Sequence, residues 1–284
     1  MAVLICSNLK QNILEDRQSP GMQLLPGISE YALLNQIKLD IKIVDPHVKS
    51  IESVQYRELL REQKTNWDGV LLIYPFPAEI IKGLMRKYPC VSLVEQFGTP
   101  ELDCIDVDHH RGISHLMQNL IDQGHRRMGF FSRRYSVEAL WVYRRYSAYV
   151  EKLARAGLEY RKEDILNLFS NDSYTLEESY ERAIQQTKDG VTAWICPADH
   201  IAYDFIKVFK KHGLEAGRDY SITGFDGIPW DAEGTQLSTV EIPYRQIGFQ
   251  AARRLAELLA KRYSTNQHIS LNGDLIKGTS CCPV

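Results

Sequence analysis

Asp108-His109-His110-Arg111-Gly112-Ile113-Ser114-His115-Leu116-Met117-Gln118-Asn119-Leu120-Ile121-Asp122-Gln123-Gly124-His125-Arg126-Arg127-Met128-Gly129-Phe130-Phe131 is the stretch whose reading decides the fold. Ile113, Leu116, Met117, Leu120 and Ile121 recur at the spacing of one helix face, the stripe by which a surface helix covers a sheet. Gly124 predicts the helix stop, because a glycine closes the last turn in the left-handed conformation without steric cost. His125, Arg126 and Arg127 put positive groups beside the negative end of that helix. Met128 to Phe131 then open a new strand. A strand-end carboxylate, an amphipathic helix, a stop and a strand make one period of βαβ alternation.

Outward from this stretch the alternation continues in both directions. Upstream, strands are expected at Val3–Cys6, Ile41–Val44, Gly69–Ile73, Cys90–Val94 and Asp103–Val107, with helices near 22–38, 52–66 and 77–88. Downstream, strands at Ile165–Phe169, Val191–Cys196 and Tyr220–Gly224 alternate with helices near 138–157, 175–189 and 199–213. Short apolar strands separated by helices predict parallel sheets with helices on both faces and right-handed crossovers. The fold class is therefore α/β, with two doubly wound lobes sharing the 284 residues. Pro243 pre-sets the first turn of a further helix carrying Ile247, Ala251, Leu255 and Leu258, and a last strand is expected near Leu275–Lys277.

Lys and Arg number 34 against 36 Asp and Glu, and the net charge of −2 offers no general attraction to polyanions. The first residues form an apolar run too short for a membrane span and without a basic leader, so a cytoplasmic location and no membrane partner are expected. Six cysteines, at 6, 90, 104, 196, 281 and 282, contain no C-x-x-C pair, which suits reduced, packed thiols rather than a disulfide framework or a zinc site.

Asp108 and Gly112, the helix after them and Gly124-His125-Arg126-Arg127 together resemble the effector-binding region of the lactose-repressor/galactose-repressor family of bacterial transcription regulators. Ile222-Thr223-Gly224-Phe225-Asp226-Gly227, then Leu237-Ser238-Thr239-Val240, then Pro243 with Gly248 and Ala251 resemble three further motifs of that family in the same order. The resemblance implies a type I periplasmic-binding-protein-like pair of lobes joined by three crossovers. Residues 1–124 with 240–263 would form the first lobe, and 125–239 with 264–284 the second. It implies an effector-sensing domain that takes a small, sugar-like molecule in the cleft between lobes, needs no cofactor, pairs as a homodimer and reaches operator DNA only through a domain outside this chain. That reader would be a helix-turn-helix headpiece or a winged-helix domain. The dimer is expected to use the helix near 77–88, where Ile80, Ile81, Leu84 and Met85 exceed what one core-facing stripe requires.

Ligands of open parallel sheets sit beyond the carboxyl ends of the strands. Ser7, Asn8, Tyr74, Asp108, Asp199 and Asp226 follow predicted strands and are candidates for effector binding; each has the alternative of a helix cap or turn former. The resemblance adds Arg145, three residues before the small Ala148, which would reach into the pocket, and Tyr174, whose ring would stack on the ligand. Arg144 and Arg145 read alternatively as two surface charges on an amphipathic helix. Two departures, Ala198 where the family has Asn and Gly227 where it has a second Asp, remove polar groups from the expected pocket. Asp106, Asp108, His109, His110 and His115 offer metal-ligand types without a recognised metal spacing, and no metal is expected. No G-x-S-x-G elbow, G-x-G-x-x-G or phosphate loop occurs, so catalysis is not expected. A sugar-binding protein serving transport, or less favoured a doubly wound enzyme, stands as the alternative.

Overall fold

The computed structural model describes residues 1–7, 19–61, 67–95, 98, 102–135, 137, 139–168, 174–228, 234–261 and 265–284. In chain order the elements are β1 (Ala2–Cys6), α1 (Pro20–Leu34), β2 (Asp40–Val44), α2 (Val54–Arg61), β3 (Val70–Ile73), α3 (Ala78–Met85), β4 (Cys90–Leu93) and β5 (Asp103–Val107). Then come α4 (His109–Asp122), β6 (Met128–Phe131), α5 (Leu140–Arg155), β7 (Ile165–Leu166), α6 (Leu176–Lys188), β8 (Ala193–Ile195), α7 (Asp199–Lys211) and β9 (Ser221–Thr223). The chain ends with β10 (Thr239–Glu241), α8 (Tyr244–Leu259), β11 (His268–Leu271) and β12 (Asp274–Ile276).

Two compact units result. The first comprises Met1–Val107, Ser136–Trp141 and Pro243–Leu271; the second comprises Asp108–Tyr135, Val142–Ile242 and Asn272–Val284. The first holds a six-stranded sheet in the order β11-β5-β4-β3-β1-β2, parallel throughout. All residues of β1, β3, β4 and β5 are buried, as parallel strands covered on both faces must be. The second unit holds the parallel sheet β7-β6-β8-β9 and a two-stranded antiparallel pair, β10 with β12.

This division differs from the expected boundaries. The helix α4 belongs to the second unit rather than the first, because its buried stripe lies in that unit with β10 and β12 as neighbours. The segment 264–284 is split: β11 adds a parallel edge strand beside β5 in the first unit, and only Asn272 onward joins the second. The short run Ser136–Trp141 is an excursion to the first unit that the sequence did not signal.

The Pro243, Gly248 and Ala251 motif acquires its reason in the first unit. A Cβ at Gly248 would strike the Leu24 carbonyl of α1, and one at Gly27 would strike the Arg245 carbonyl of α8. Glycines on both helices thus let their backbones touch, which no larger side chain permits. The helix α3 corrects an expectation. Ile80, Ile81 and Leu84 are fully buried in the first unit's core and Met85 packs against it, so no spare apolar face is left for self-association.

Gly124 takes φ +101 after α4, as a helix stop requires. Of the three basic side chains that follow, that of Arg126 serves the helix end, donating to the Ile121 carbonyl at 3.0 Å, while the His125 backbone N–H donates to the Leu120 carbonyl at 3.1 Å. His125 is buried between Thr192 Oγ1 at 2.8 Å and the Cys282 carbonyl at 3.0 Å, and burial holds its pKa below the usual imidazole value. Arg127 forks onto both oxygens of Asp164, at 2.8 and 2.7 Å. All six cysteines are free thiols, four buried and Cys281 and Cys282 half-buried.

Candidate functional site

In the second unit, the carboxyl ends of β8 and β9, the first turn of α4 and the helix α5 deliver polar groups to one place. Arg145, on α5, is buried at 4 % exposure. Its Nε donates to Nδ1 of His109 at 3.1 Å, and its Nη1 reaches the Pro197 carbonyl and, at 3.3 Å, Oδ1 of Asp226. The guanidinium carbon lies 3.8 Å from the centre of the Phe225 ring. A planar cation on an aromatic face, with donors along its edges, is fixed in orientation as well as position.

Asp226 follows β9 in a backbone conformation, φ +141, that L side chains rarely adopt. It is held there by β10: its N–H donates to the Val240 carbonyl at 2.9 Å and its carbonyl accepts from Ile242 N–H at 3.2 Å. Gly227 continues at φ +74 with the Glu241 backbone where a Cβ would stand, which accounts for a glycine in place of the family's second Asp. Ala198 occupies the N-cap of α7 and supplies no side-chain cap.

Asp199 is also buried beside this cluster, but its oxygens are engaged. Oδ1 accepts from Thr239 Oγ1 at 2.6 Å and Oδ2 from Ile228 N–H at 2.8 Å. Burial and then the neighbouring Asp226 carboxylate push its pKa up to about 8, against the opposing pull of Thr239, Ile228 and Arg145. The carboxyl therefore ties the loop after β9 to β10. Tyr135, in the loop after β6, shares a hydrogen bond of 3.0 Å with Nε2 of His200, next along α7. Burial, then Arg133 and Arg145, drive the His200 pKa down to about 3, so this imidazole is neutral. The second unit thus presents a guanidinium, a carboxylate, a neutral imidazole with a phenol, and an aromatic face, a set that can donate to and accept from several hydroxyls.

The remaining candidates are placed differently. Asp108 is the N-cap of α4, its Oδ1 accepting from Arg111 N–H at 2.9 Å, and it lies in the second unit rather than the first lobe. The Tyr174 ring is covered by the Arg182 guanidinium at 3.5 Å, and its carbonyl accepts from Arg134 at 2.8 Å. In the first unit, Ser7 follows β1 and donates its N–H to the Val44 carbonyl at 2.9 Å. Tyr74 follows β3 at φ +73, and its hydroxyl accepts from Gly21 N–H at 2.7 Å. Ser19 caps α1 without a side-chain hydrogen bond, so the phenol of Tyr74 does the cap's work from outside. Asn8 lies outside the described residues.

The run from Asp106 to His110 is dispersed. Asp106 Oδ1 accepts from Val107 N–H, His109 accepts from Arg145, and His110 pairs with Glu151 at 3.1 Å. Sequence reading missed His109, Phe225, Pro197, Tyr135, His200 and Thr239 as parts of the site. Phe225 and Thr239 lay inside quoted motifs; Pro197 acts through its carbonyl, which leaves no side-chain signature.

The family described as "Periplasmic binding protein-like domain" matches residues 117–281. The chain belongs to that family. Among curated proteins, this periplasmic binding protein-like chain is 23 % identical over 252 residues to the NTD biosynthesis operon regulator NtdR of Bacillus subtilis, covering 87 % of this chain and 73 % of the regulator. It is 26 % identical over 226 residues to the arabinose metabolism transcriptional repressor of Geobacillus stearothermophilus, covering 75 % of this chain and 60 % of the repressor. The match thus spans less than two thirds of that repressor's length. Among solved structures it resembles the transcriptional regulator CelR in complex with cellobiose, at TM-score 0.78 and 19 % identity, over 98 % of this chain and 84 % of that one. The expectation of an α/β effector domain of the lactose-repressor/galactose-repressor kind holds. No described helix is long and apolar enough to cross a membrane.

Proposed function

We propose that the chain is the sensing part of a transcription regulator, binding a sugar or similarly polar metabolite without turning it over. The observation that carries this reading is the buried Arg145, Asp226 and Phe225 cluster beyond the strand ends of the second unit, in a chain of this family. Cellobiose in the CelR complex and arabinose metabolism in the name of the Geobacillus repressor support a mono- or disaccharide. Of the sequence candidates, Arg145 and Asp226 are assigned direct contact with the effector; Ser7, Asn8 and Tyr174 remain candidates for it. Asp108, Tyr74 and Asp199 are assigned supporting roles, since their side chains serve the fold.

The proposal extends to the whole regulator. The chain acts in the cytoplasm, needs no cofactor and reaches operator DNA through a separate reader domain, as a homodimer suited to a palindromic site. With α3 consumed in the core, the dimer face is reassigned to the end of α1, where Leu33 and Leu34 stand 81 % and 70 % exposed. The effector acts by changing the equilibrium between lobe arrangements, which requires that it bind one arrangement better than the other.

Calorimetry with a panel of pentoses, hexoses and disaccharides that includes arabinose and cellobiose tests the reading. A sugar that binds the parent and binds Arg145→Ala equally well would move the site elsewhere. A sugar that leaves both the scattering profile of the chain and the operator affinity of the full regulator unchanged would remove the sensor function.

A further inference from the structure

We propose that His109 is a positioning residue for effector recognition, fixing through its Nδ1 the orientation in which Arg145 meets the ligand. The inference rests on the reading that Arg145 contacts the effector. His109 is the first residue of α4 and is buried at 4 % exposure. Since Arg145 Nε can only donate, Nδ1 of His109 must carry its lone pair toward it across 3.1 Å, and the ring proton resides on Nε2. Nε lies on one edge of the guanidinium, so anchoring it there removes rotation about the last side-chain bond. The Phe225 face at 3.8 Å then fixes the plane. With edge and plane set, the Nη side is left aimed at the Pro197 carbonyl and Asp226.

One turn further along α4, Gly112 makes the second support possible. A Cβ there would come within 2.5 Å of the Phe225 ring, so only glycine lets that ring lie against the helix and under the guanidinium. The His109 and Phe225 rings are themselves neighbours, 6.0 Å apart and tilted by 46°. The first turn of α4 thus holds Arg145 twice, once by a hydrogen bond and once through Phe225. A protonated His109 could not accept from Arg145 and would place two cations in contact, so the arrangement requires a neutral ring.

The test compares His109→Leu, which removes the acceptor, with His109→Asn, whose carbonyl oxygen can occupy the place of Nδ1. In the 15N-labelled parent without sugar, Arg145 should give a slowly exchanging Nε–H resonance apart from the other arginines, identified by its loss in Arg145→Lys. His109→Leu should merge it with the bulk arginine signals, and His109→Asn should restore it; retention in His109→Leu overturns the contact. In titrations with cellobiose and with arabinose, a sugar that binds the parent should bind His109→Leu about ten-fold more weakly and His109→Asn within about three-fold. Parent-like affinity in His109→Leu, with the resonance lost, overturns the role in recognition. If neither sugar binds the parent, the titrations use whichever member of the wider panel does; if Arg145→Lys then binds like the parent, the effector reading of Arg145 fails, and the resonance decides the His109 contact by itself.

Discussion

Each unit buries an arginine against an aspartate, and the two pairs differ in how tightly they close. In the first unit, Arg254 of α8 and Asp103 at the start of β5 are both 1 % exposed, 2.7 Å apart. Arg254 also donates to the Thr265 carbonyl at 2.8 Å, while the other Asp103 oxygen accepts from Gln267 N–H at 2.6 Å. These short bonds fasten helix, strand and the approach to β11 together. In the second unit, Arg145 and Asp226 stand 3.3 Å apart, the aspartate on a backbone of unfavourable φ that β10 must hold in place. The first pair closes tightly on itself; the second, which on the reading proposed above meets the effector, keeps a longer contact on a strained backbone.

The sharpest test of that contrast is Arg254→Ala, which strands the Asp103 carboxylate in the core. Chemical denaturation should show a loss of about 3 to 5 kcal/mol. Asp226→Ala should lose less stability than that, and its main effect should be on sugar binding, weakened by about 1 to 3 kcal/mol in calorimetry through loss of charge-assisted hydrogen bonds. Equal unfolding losses for the two variants would erase the distinction between fastening and recognition.

A smaller effect concerns pH. Asp199 has a folded pKa raised from 3.8 to about 8, so the folded state holds a proton that the unfolded state releases. Its stabilisation is complete below pH 3.8 and is lost as the pH rises to about 8. Asp199→Asn keeps an acceptor for Ile228 N–H and a donor toward Thr239, and should flatten the fall of melting temperature across that window; an unchanged slope would mean that another group carries it. The smallest effect on folding is expected for Leu34→Asp, within about 0.5 kcal/mol because the side chain is exposed. Sedimentation of this variant should nevertheless shift toward monomer, and an unshifted dimer would place the interface elsewhere.

The strands of the two parallel sheets were legible wherever burial on two faces demanded an uninterrupted apolar run, as in Val70–Ile73 and Met128–Phe131. The strand β11 escaped because His268–Leu271 alternates exposed and half-buried residues at a sheet edge, where neither an apolar run nor a helix period is required. Arg145 and Asp226, which the structure brings together at 3.3 Å, were singled out because motifs held them in order along the chain. Tyr74 and Asp108 show the limit. A polar side chain after a strand stands next to a helix start, and whether it serves that helix or a ligand depends on geometry that its residue type does not encode.

The contact of α1 with α8 and the pairing of β12 with β10 also govern the order in which the chain can fold as it is synthesised. The first unit lacks α8 and β11 until residues 243–271 have emerged, and the second lacks β12 and the segment that donates from Val284 N–H to the Gln123 carbonyl until residues 274–284 follow. The first unit thus waits for sequence-distant partners before α1 meets α8 and β5 gains its edge strand. Nascent chains shorter than about residue 243 would leave the α1 surface at Gly27, against which α8 packs, open to solvent and to aggregation.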